Sequence, residues 1–396
     1  MASLVQRLYR VFVPPHQPPK VTNQPIKFGI LGAANIAPAA LIIPAKSHAE
    51  VIVYAVAARD QVKAEKFAKQ HGIGKVYGGS NGYQQLLDDP EVDAIYNPLP
   101  NGLHFEWTMK ALLAGKHVLC EKPMADTAEE VKQMFDLAEK KGLVLLEAFH
   151  YRFHPSIQRA KAILDSGELG KIKSIDLKFA LAAGFMKDSD IRFNFALGGG
   201  AMMDLGCYSL NCIRYLSSSD PVSVVSATPL SLKSANITET KIDRGMSATL
   251  ALPNDVLASM DVDLAMPWEF FPPKLYKMWV EVKCEGGNVG VQNFVLPTFW
   301  HSIQVSNKAS GGTTTQRVEK VYKFADDQSK VLDLGEDWWL TYRYQLEAFV
   351  DKLKGRTPQT WVTREDSIAN MQWIENIYEK AGIGSRPRSS YVLPAE

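Results

Sequence analysis

Short apolar runs alternate with stretches of helical period through the first part of the chain. The runs fall at 26–31, 51–57, 93–96, 117–120 and 143–147, each short and nearly continuous in its apolar character. Strands buried on both faces of a parallel sheet need that pattern. The helical stretches fall between them at 61–70, 83–88, 103–114 and 127–141. The last follows Asp126 or Thr127 as a capping residue and stops at Gly142. Strand–helix units with such short connections predict an α/β domain, a doubly wound parallel sheet of the Rossmann type.

Beyond residue 150 the period changes. Ile175, Leu177, Phe179 and Leu181 alternate with Asp176 and Lys178, and Met278, Val280, Val282 and Cys284 with Lys277, Glu281 and Lys283. Alternation by two predicts a large, mostly antiparallel sheet with one covered face. Helices are expected at 201–216, 338–353 and 364–381, completing an α+β domain over 151–396. The dinucleotide-type domain covers 26–150. Residues 1–25, with the proline-rich segment Pro14-Pro15-His16-Gln17-Pro18-Pro19, read as an arm suited to docking on a neighbouring subunit. A glycine–threonine stretch at 311–315 reads as a hairpin loop.

Length agrees with this division, since 396 residues suit two domains of ~100–200 residues each. A formal charge of +1 provides no field for nucleic acid or an anionic membrane, which directs attention to a small-molecule partner. Cys120, Cys207, Cys212 and Cys284 form no Cys-x-x-Cys pair and suit a reducing, cytoplasmic setting. No apolar run reaches the ~20 residues of a membrane span. Arg7 and Arg10 interrupt the apolar residues of the first dozen positions, unlike a secretory signal, and the near-lack of Ser and Thr argues against an organelle address. The Asn236-Ile237-Thr238 sequon then has no meaning as a glycosylation site.

The first strand runs into Gly32-Ala33-Ala34-Asn35-Ile36-Ala37. Gly32, Ala34 and Ala37 occupy the small-residue positions of a dinucleotide turn, where backbone amides at a helix N-terminus approach a pyrophosphate. The second strand ends Ala57-Ala58-Arg59-Asp60. An NAD site normally carries an acid where Ala58 stands, and the Arg59 guanidinium that follows suits the extra phosphate of NADP. Asp60 reads as the cap of the next helix.

Asn97-Pro98-Leu99-Pro100-Asn101-Gly102-Leu103-His104 and Glu121-Lys122-Pro123 each follow a strand at its carboxyl end, where open α/β sheets place ligands. Asn97, Leu99, Pro100, Asn101, His104, Glu121 and Lys122 are therefore candidates to line the cofactor. With the Gly-Ala-Ala-Asn-Ile-Ala turn, these segments resemble the glucose–fructose oxidoreductase/inositol dehydrogenase (Gfo/Idh/MocA) superfamily. So do Glu147-Ala148-Phe149-His150-Tyr151-Arg152-Phe153-His154-Pro155 and Gly198-Gly199-Gly200 with Asp204, Gly206 and Tyr208. The resemblance covers roughly residues 26–380 and is nearest to the D-xylose dehydrogenase and dihydrodiol dehydrogenase branch. It implies NADP, hydride removal from a sugar or diol, and a homodimer through the large sheet. It also implies that Lys122 lies by the nicotinamide, that Tyr208 accepts the proton, and that Asp204 orients the substrate or tunes the pair. A lysine ammonium beside the phenol would depress a pKa that is otherwise ~10.

Blander readings stand beside these. A tyrosine among Leu205, Leu210 and Cys212 is ordinarily core. His150 and His154 have the spacing of a zinc pair but lack a third ligand. Arg152 and Phe153 at the domain junction are substrate candidates, although Arg152 equally suits a carboxylate partner. Trp268 either walls an apolar side of the pocket or belongs to the core. Cofactor-sensing regulators share this fold, so the fold alone does not decide function. The presence of both Lys122 and Tyr208 favours an enzyme.

Overall fold

The computed structural model describes residues 2–17, 24–187, 189–231, 241–270, 273–308, 314–324 and 335–393. The Asn236 sequon, Pro18 and Pro19 of the arm, and 311–313 of the expected hairpin loop lie outside these residues. A helix, α1 (Ala2–Phe12), precedes the first sheet. Strands β1 (Ile26–Leu31), β2 (Val51–Ala58), β3 (Lys75–Gly78), β4 (Ala94–Asn97), β5 (His117–Cys120) and β6 (Leu145–Glu147) follow. They pair in the order β3-β2-β1-β4-β5-β6, and every pairing is parallel. The order reverses between β1 and β4, which opens a crevice at their carboxyl ends. Strand β3 escapes the series of apolar runs because it is a half-buried edge carrying Lys75 and Tyr77.

Helices α2 (Ile43–Lys46), α3 (Gln61–His71), α4 (Gly82–Leu87), α5 (His104–Leu113) and α6 (Ala128–Lys141) connect these strands. Their ends follow local chemistry. Thr127 and Glu130 form a reciprocal capping box at the start of α6, and Gly142 ends it in a left-handed conformation.

The second domain begins with α7 (Pro155–Asp165), β7 (Ile172–Ala182) and α8 (Cys207–Ser217). Strands β8 (Ser223–Ser231), β9 (Asp243–Leu252), β10 (Val256–Met266), β11 (Glu269–Phe270), β12 (Pro273–Lys274), β13 (Tyr276–Cys284), β14 (Gly287–Gln292), β15 (Ser302–Lys308) and β16 (Thr314–Glu319) come next. Helices α9 (Thr341–Leu353) and α10 (Arg364–Lys380) end the series. Eight strands form one sheet in the order β16-β15-β14-β13-β7-β10-β9-β8, antiparallel except where β7 meets β10. Ile175, Leu177 and Phe179 are buried in the core with Met278, Val280 and Val282, while Asp176 on the opposite face accepts from Lys283 at 2.9 Å. Strand pairing thus follows the period-two pattern.

Within the first 25 residues, α1 packs against its own chain. Arg7 is buried, donates to the Thr298 and Phe299 carbonyls, and lies 4.0 Å from the Tyr322 ring centroid. Val11 packs in a pocket with Ile43, Pro44, Trp338 and Leu340. Gln17 N donates to Lys46 O at 2.9 Å, so the segment touches both domains. Buried backbone carbonyls need donors, and Arg7 supplies two of them at the cost of its own hydration.

Candidate active site

The site lies where the carboxyl ends of β4 and β5 meet the start of α8. Gly32 follows β1 with φ +89°, a conformation that strains any residue with a Cβ. A Cβ there would come within 3.1 Å of Leu99 Cδ2 and 3.8 Å of the Tyr83 hydroxyl. Ala33 and Ala34 are part-exposed and Asn35 and Ile36 exposed, whereas Ala37 is buried. This open backbone at the head of a helical segment suits a dinucleotide pyrophosphate.

The other expected cofactor residues divide into two groups. Arg59 follows β2, and its side chain reaches the Tyr83 phenol; burial pushes that phenol's pKa up while Arg59 pulls it down, with a net rise. Ala58 is buried, and Asp60 caps α3 by accepting from Lys63 N at 2.9 Å. Asn97 and His104 are scaffold rather than lining. Asn97 Nδ2 donates to Thr108 Oγ1 at 3.0 Å, and the His104 ring nitrogens lie 2.9 Å from Pro123 O and 2.6 Å from Leu99 O. The two loops are thereby stapled together. Glu121 is buried and accepts from the Tyr96 hydroxyl at 2.7 Å. Pro100 leads into the turn containing Asn101, whose Nδ2 crosses to Gly198 O at 2.9 Å.

Lys122 is the centre of the arrangement. Its Nζ donates to Asp204 Oδ1 at 2.8 Å and to Asp204 O at 3.0 Å, joining the two domains. Arg192 Nε donates to Asp204 Oδ2 at 2.6 Å, and Asp190 holds Arg192 in turn. Burial acts against charge on Asp204, but the flanking Arg192 and Lys122 prevail and hold its carboxyl well below the usual range. Burial likewise lowers Lys122, and Asp204 reverses this to a net rise. Both groups are charged at neutral pH. Asp204 sits in a π-helical turn, Met202–Gly206, immediately before α8, and such wide turns are frequent at functional sites.

Tyr208, on α8, meets Lys122 differently from expectation. The ammonium lies over its ring, 4.7 Å from the centroid. The hydroxyl is instead 2.8 Å from His150 Nε2, and His150 Nδ1 is 2.8 Å from Thr341 Oγ1. Burial raises the Tyr208 phenol well above its ordinary value, so the expected depression by a neighbouring cation is absent. Burial, reinforced by Lys122, lowers His150 to about 3. The site therefore pairs a neutral phenol with a neutral imidazole.

Sequence reading missed His150 and Arg192 as site residues. His150 reads from its spacing as half of a zinc pair, yet it faces Tyr208 whereas His154 bonds Ser156 Oγ at 2.9 Å. Among the described residues, no group of three or more His, Cys, Asp or Glu could hold a metal ion. No local signal marks Arg192, which reaches Asp204 from the connection between β7 and the triple glycine. Three substrate candidates are also resolved. Arg152 Nη1 is paired with Asp366 at 2.6 Å, and its guanidinium covers Tyr215 at 4.0 Å, which is the carboxylate alternative. Phe153 is fully buried core and not a substrate contact, and Trp268 is half exposed and so not core.

A parallel nucleotide-type sheet joined to a second domain that contributes an acid and a phenol beside Lys122 defines a two-domain nicotinamide-type oxidoreductase. Residues 26–149 match the oxidoreductase family with the NAD-binding Rossmann fold, and 157–289 match the GFO/IDH/MocA C-terminal domain. The chain belongs to the Gfo/Idh/MocA oxidoreductase family. It is similar to a D-xylose 1-dehydrogenase (NADP(+)) of Haloferax volcanii, 34% identical over 90% of this chain and 98% of the relative. A trans-1,2-dihydrobenzene-1,2-diol dehydrogenase of Xenopus tropicalis is 32% identical over 57% of this chain and 64% of its own. Among solved structures, a 3-ketoreductase from Actinomadura kijaniata, in complex with NADP and TDP-benzene, is 26% identical. It superposes with a TM-score of 0.71 over 88% of this chain and 96% of its own. Among the described residues, no helix is long and apolar enough to cross a membrane.

Proposed function

We propose that this protein is an NADP-dependent dehydrogenase that oxidises the anomeric hydroxyl of D-xylose to D-xylonolactone, acting in the cytoplasm as a homodimer. The observation that carries the reading is the convergence of Lys122, Asp204 and Tyr208, drawn from two domains, at the mouth of the nucleotide crevice. Gly32 and Ala33 to Ile36 would hold the pyrophosphate of the cofactor, and Arg59 its 2′-phosphate. Support for NADP over NAD comes from Arg59 following Ala58, where an acid would otherwise stand, and from the NADP named for the Haloferax volcanii relative. The cofactor, when bound, supplies the hydride acceptor.

The chain's own residues bind, orient and move the proton. Lys122 donates hydrogen bonds and orients a substrate hydroxyl, Asp204 keeps that ammonium charged and aimed, and Tyr208 accepts the hydroxyl proton. Arg192, one third exposed, is placed to hold a further hydroxyl while it braces Asp204.

The test is reduction of NADP followed by absorbance, with D-xylose against other aldopentoses, aldohexoses, inositols and dihydrodiols. Preference for D-xylose is the expected result. A second reading, oxidation of a trans-dihydrodiol by the same residues, is favoured by the similarity to the Xenopus tropicalis enzyme and predicts turnover of the diol instead. Tight NADP binding with no turnover of any member of the panel would overturn both in favour of a cofactor-sensing regulator.

A further inference from the structure

Asp204 projects from a wide turn without the usual α-helical ladder, so its direction depends on what grips that turn from outside. The grip comes from Asp243, at the start of β9. Its Oδ2 accepts Met202 N at 2.7 Å, two residues before Asp204. Its Oδ1 accepts from the Tyr378 hydroxyl of α10 at 2.9 Å and from Arg386 Nη2 at 3.0 Å. Arg386 lies in the segment that follows α10. Its Nη1 donates to Lys241 O at 2.9 Å, and its guanidinium lies 3.9 Å from the Tyr378 ring centroid. Gly200, with φ +130°, makes room for this cluster. A Cβ there would stand 2.3 Å from Asp243 Oδ1 and 2.6 Å from the Tyr378 hydroxyl. Asp204 N in turn donates to Gly200 O at 3.0 Å.

The Arg386 and Asp243 side chains are both fully buried. Such a pair adds little net stability, because desolvation offsets its attraction, and apolar residues of similar volume often serve as well. What it adds is direction. A planar guanidinium fork fixes the carboxylate, and the carboxylate fixes one backbone N–H. Burial pushes Asp243 up to about 6 against the pull of Arg386, so it is ionised at neutral pH and accepts from all three donors. The segment that carries Arg386 then crosses to the first domain. Ser389 N donates to Glu130 Oε1 at 2.7 Å. Glu130 Oε2 accepts Asp126 N at 3.2 Å and Thr127 N at 3.1 Å, in the loop that follows Lys122.

We propose that Arg386 and Asp243 are positioning residues for the reaction: through Met202 N they set the place of Asp204, and the segment running on to Glu130 keeps that place in register with Lys122. The inference rests on the proposed function for the chemistry the Lys122–Asp204 pair performs, and it names what aims the pair. Neither residue touches substrate or cofactor; both act through the turn.

Arg386→Met removes the fork and leaves Asp243 without its cation. The expected result is a fall in kcat of about 10- to 100-fold, the cost of a small misplacement of reacting groups. The dissociation constant of NADPH, read by fluorescence titration, should stay within about twofold, because the cofactor crevice is untouched. Arg386→Lys restores the charge and should recover part of kcat. A merely structural role would add its cost to any background. In Lys122→Met protein, Arg386→Met should instead lower kcat by no more than about twofold further, because the pair it aims is already broken. Wild-type kcat in Arg386→Met, or a loss that adds in full to that of Lys122→Met, overturns the inference. Should a thermal melt show Arg386→Met unfolded, Tyr378→Phe carries the test with the ion pair intact. It should lower kcat by about threefold in the wild-type background and leave it unchanged in Lys122→Met protein, and additive losses overturn the inference again.

A turnover-free measurement separates this inference from the proposed function. Amide hydrogen exchange at Met202 and Asp204, followed without substrate, should quicken at least about tenfold in Arg386→Met or Tyr378→Phe while the amides of β7 and β13 keep their wild-type rates. Unchanged exchange at both positions overturns the positioning role whatever the substrate proves to be. Failure of the substrate panel alongside the expected exchange overturns the proposed function alone.

Discussion

Lys122 of the first domain and Asp204 of the second are bound across the domain boundary at 2.8 Å, and Arg192 grips the other oxygen of the same carboxylate. The lysine is therefore oriented by an acid rather than lodged against the tyrosine oxygen, and the acid is held by two cations at once. Lys122→Met removes the ammonium while Arg192 still neutralises Asp204. The expected outcome is a fall in kcat/KM of about 100-fold or more with folding retained. Steady-state kinetics together with a thermal melt check it, and wild-type activity in this variant would remove Lys122 from the mechanism.

Arg59 follows β2, where it would meet the 2′-phosphate of the cofactor. A hydrogen bond to a charged group contributes roughly 1.5–3 kcal/mol, equivalent to about a 10- to 100-fold preference. Arg59→Asp should lower the NADP-to-NAD ratio of kcat/KM by at least that factor. Equal ratios in wild type and variant would dismiss the assignment.

Glu147 ends β6, and its Oε1 accepts Met124 N at 2.9 Å, which braces the loop just after Lys122. Burial pushes its pKa up from 4.5 to about 8. The folded state thus retains a proton that the unfolded chain has already released. Its contribution to stability is fully present below pH 4.5 and declines as the pH rises to about 8. Glu147→Gln keeps the acceptor and removes the ionisation. Its Tm relative to wild type should improve steadily from pH 5 to 8, which differential calorimetry can follow; a constant offset would contradict the argument.

Arg7 of α1 donates to two carbonyls of the second domain, the buried Thr298 O and the part-buried Phe299 O. Arg7→Ala strands them, and leaving buried groups without donors costs about 1–3 kcal/mol. The variant should melt at lower temperature at unchanged oligomeric state, because α1 docks within its own chain. Sedimentation alongside the melt tests both halves; dissociation would show that the arm also serves a partner.

Much of this architecture was legible in the residues themselves. Buried parallel strands must be apolar throughout, and helix ends need capping groups nearby, so β1, β2, β4 and β5 and the limits of α3 and α6 are written locally. Edge strand β3 is not, because an edge tolerates Lys75 and Tyr77. Lys122, Asp204 and Tyr208 were legible by family resemblance, and Gly32 and Arg59 by their position at strand ends.

Pairing between distant residues is different in kind. The local sequence determined the strand–helix series, the nucleotide turn and the presence of an ammonium, an acid and a phenol. Only the tertiary structure decided which of them touch. It took Lys122 to Asp204, turned the Tyr208 hydroxyl to His150, brought Arg192 in from a connecting segment and gave Arg152 to Asp366. The physical reason is range: periodicity and capping act over a few residues, whereas a buried charge or hydroxyl takes whichever partner the packed domains bring within about 3 Å.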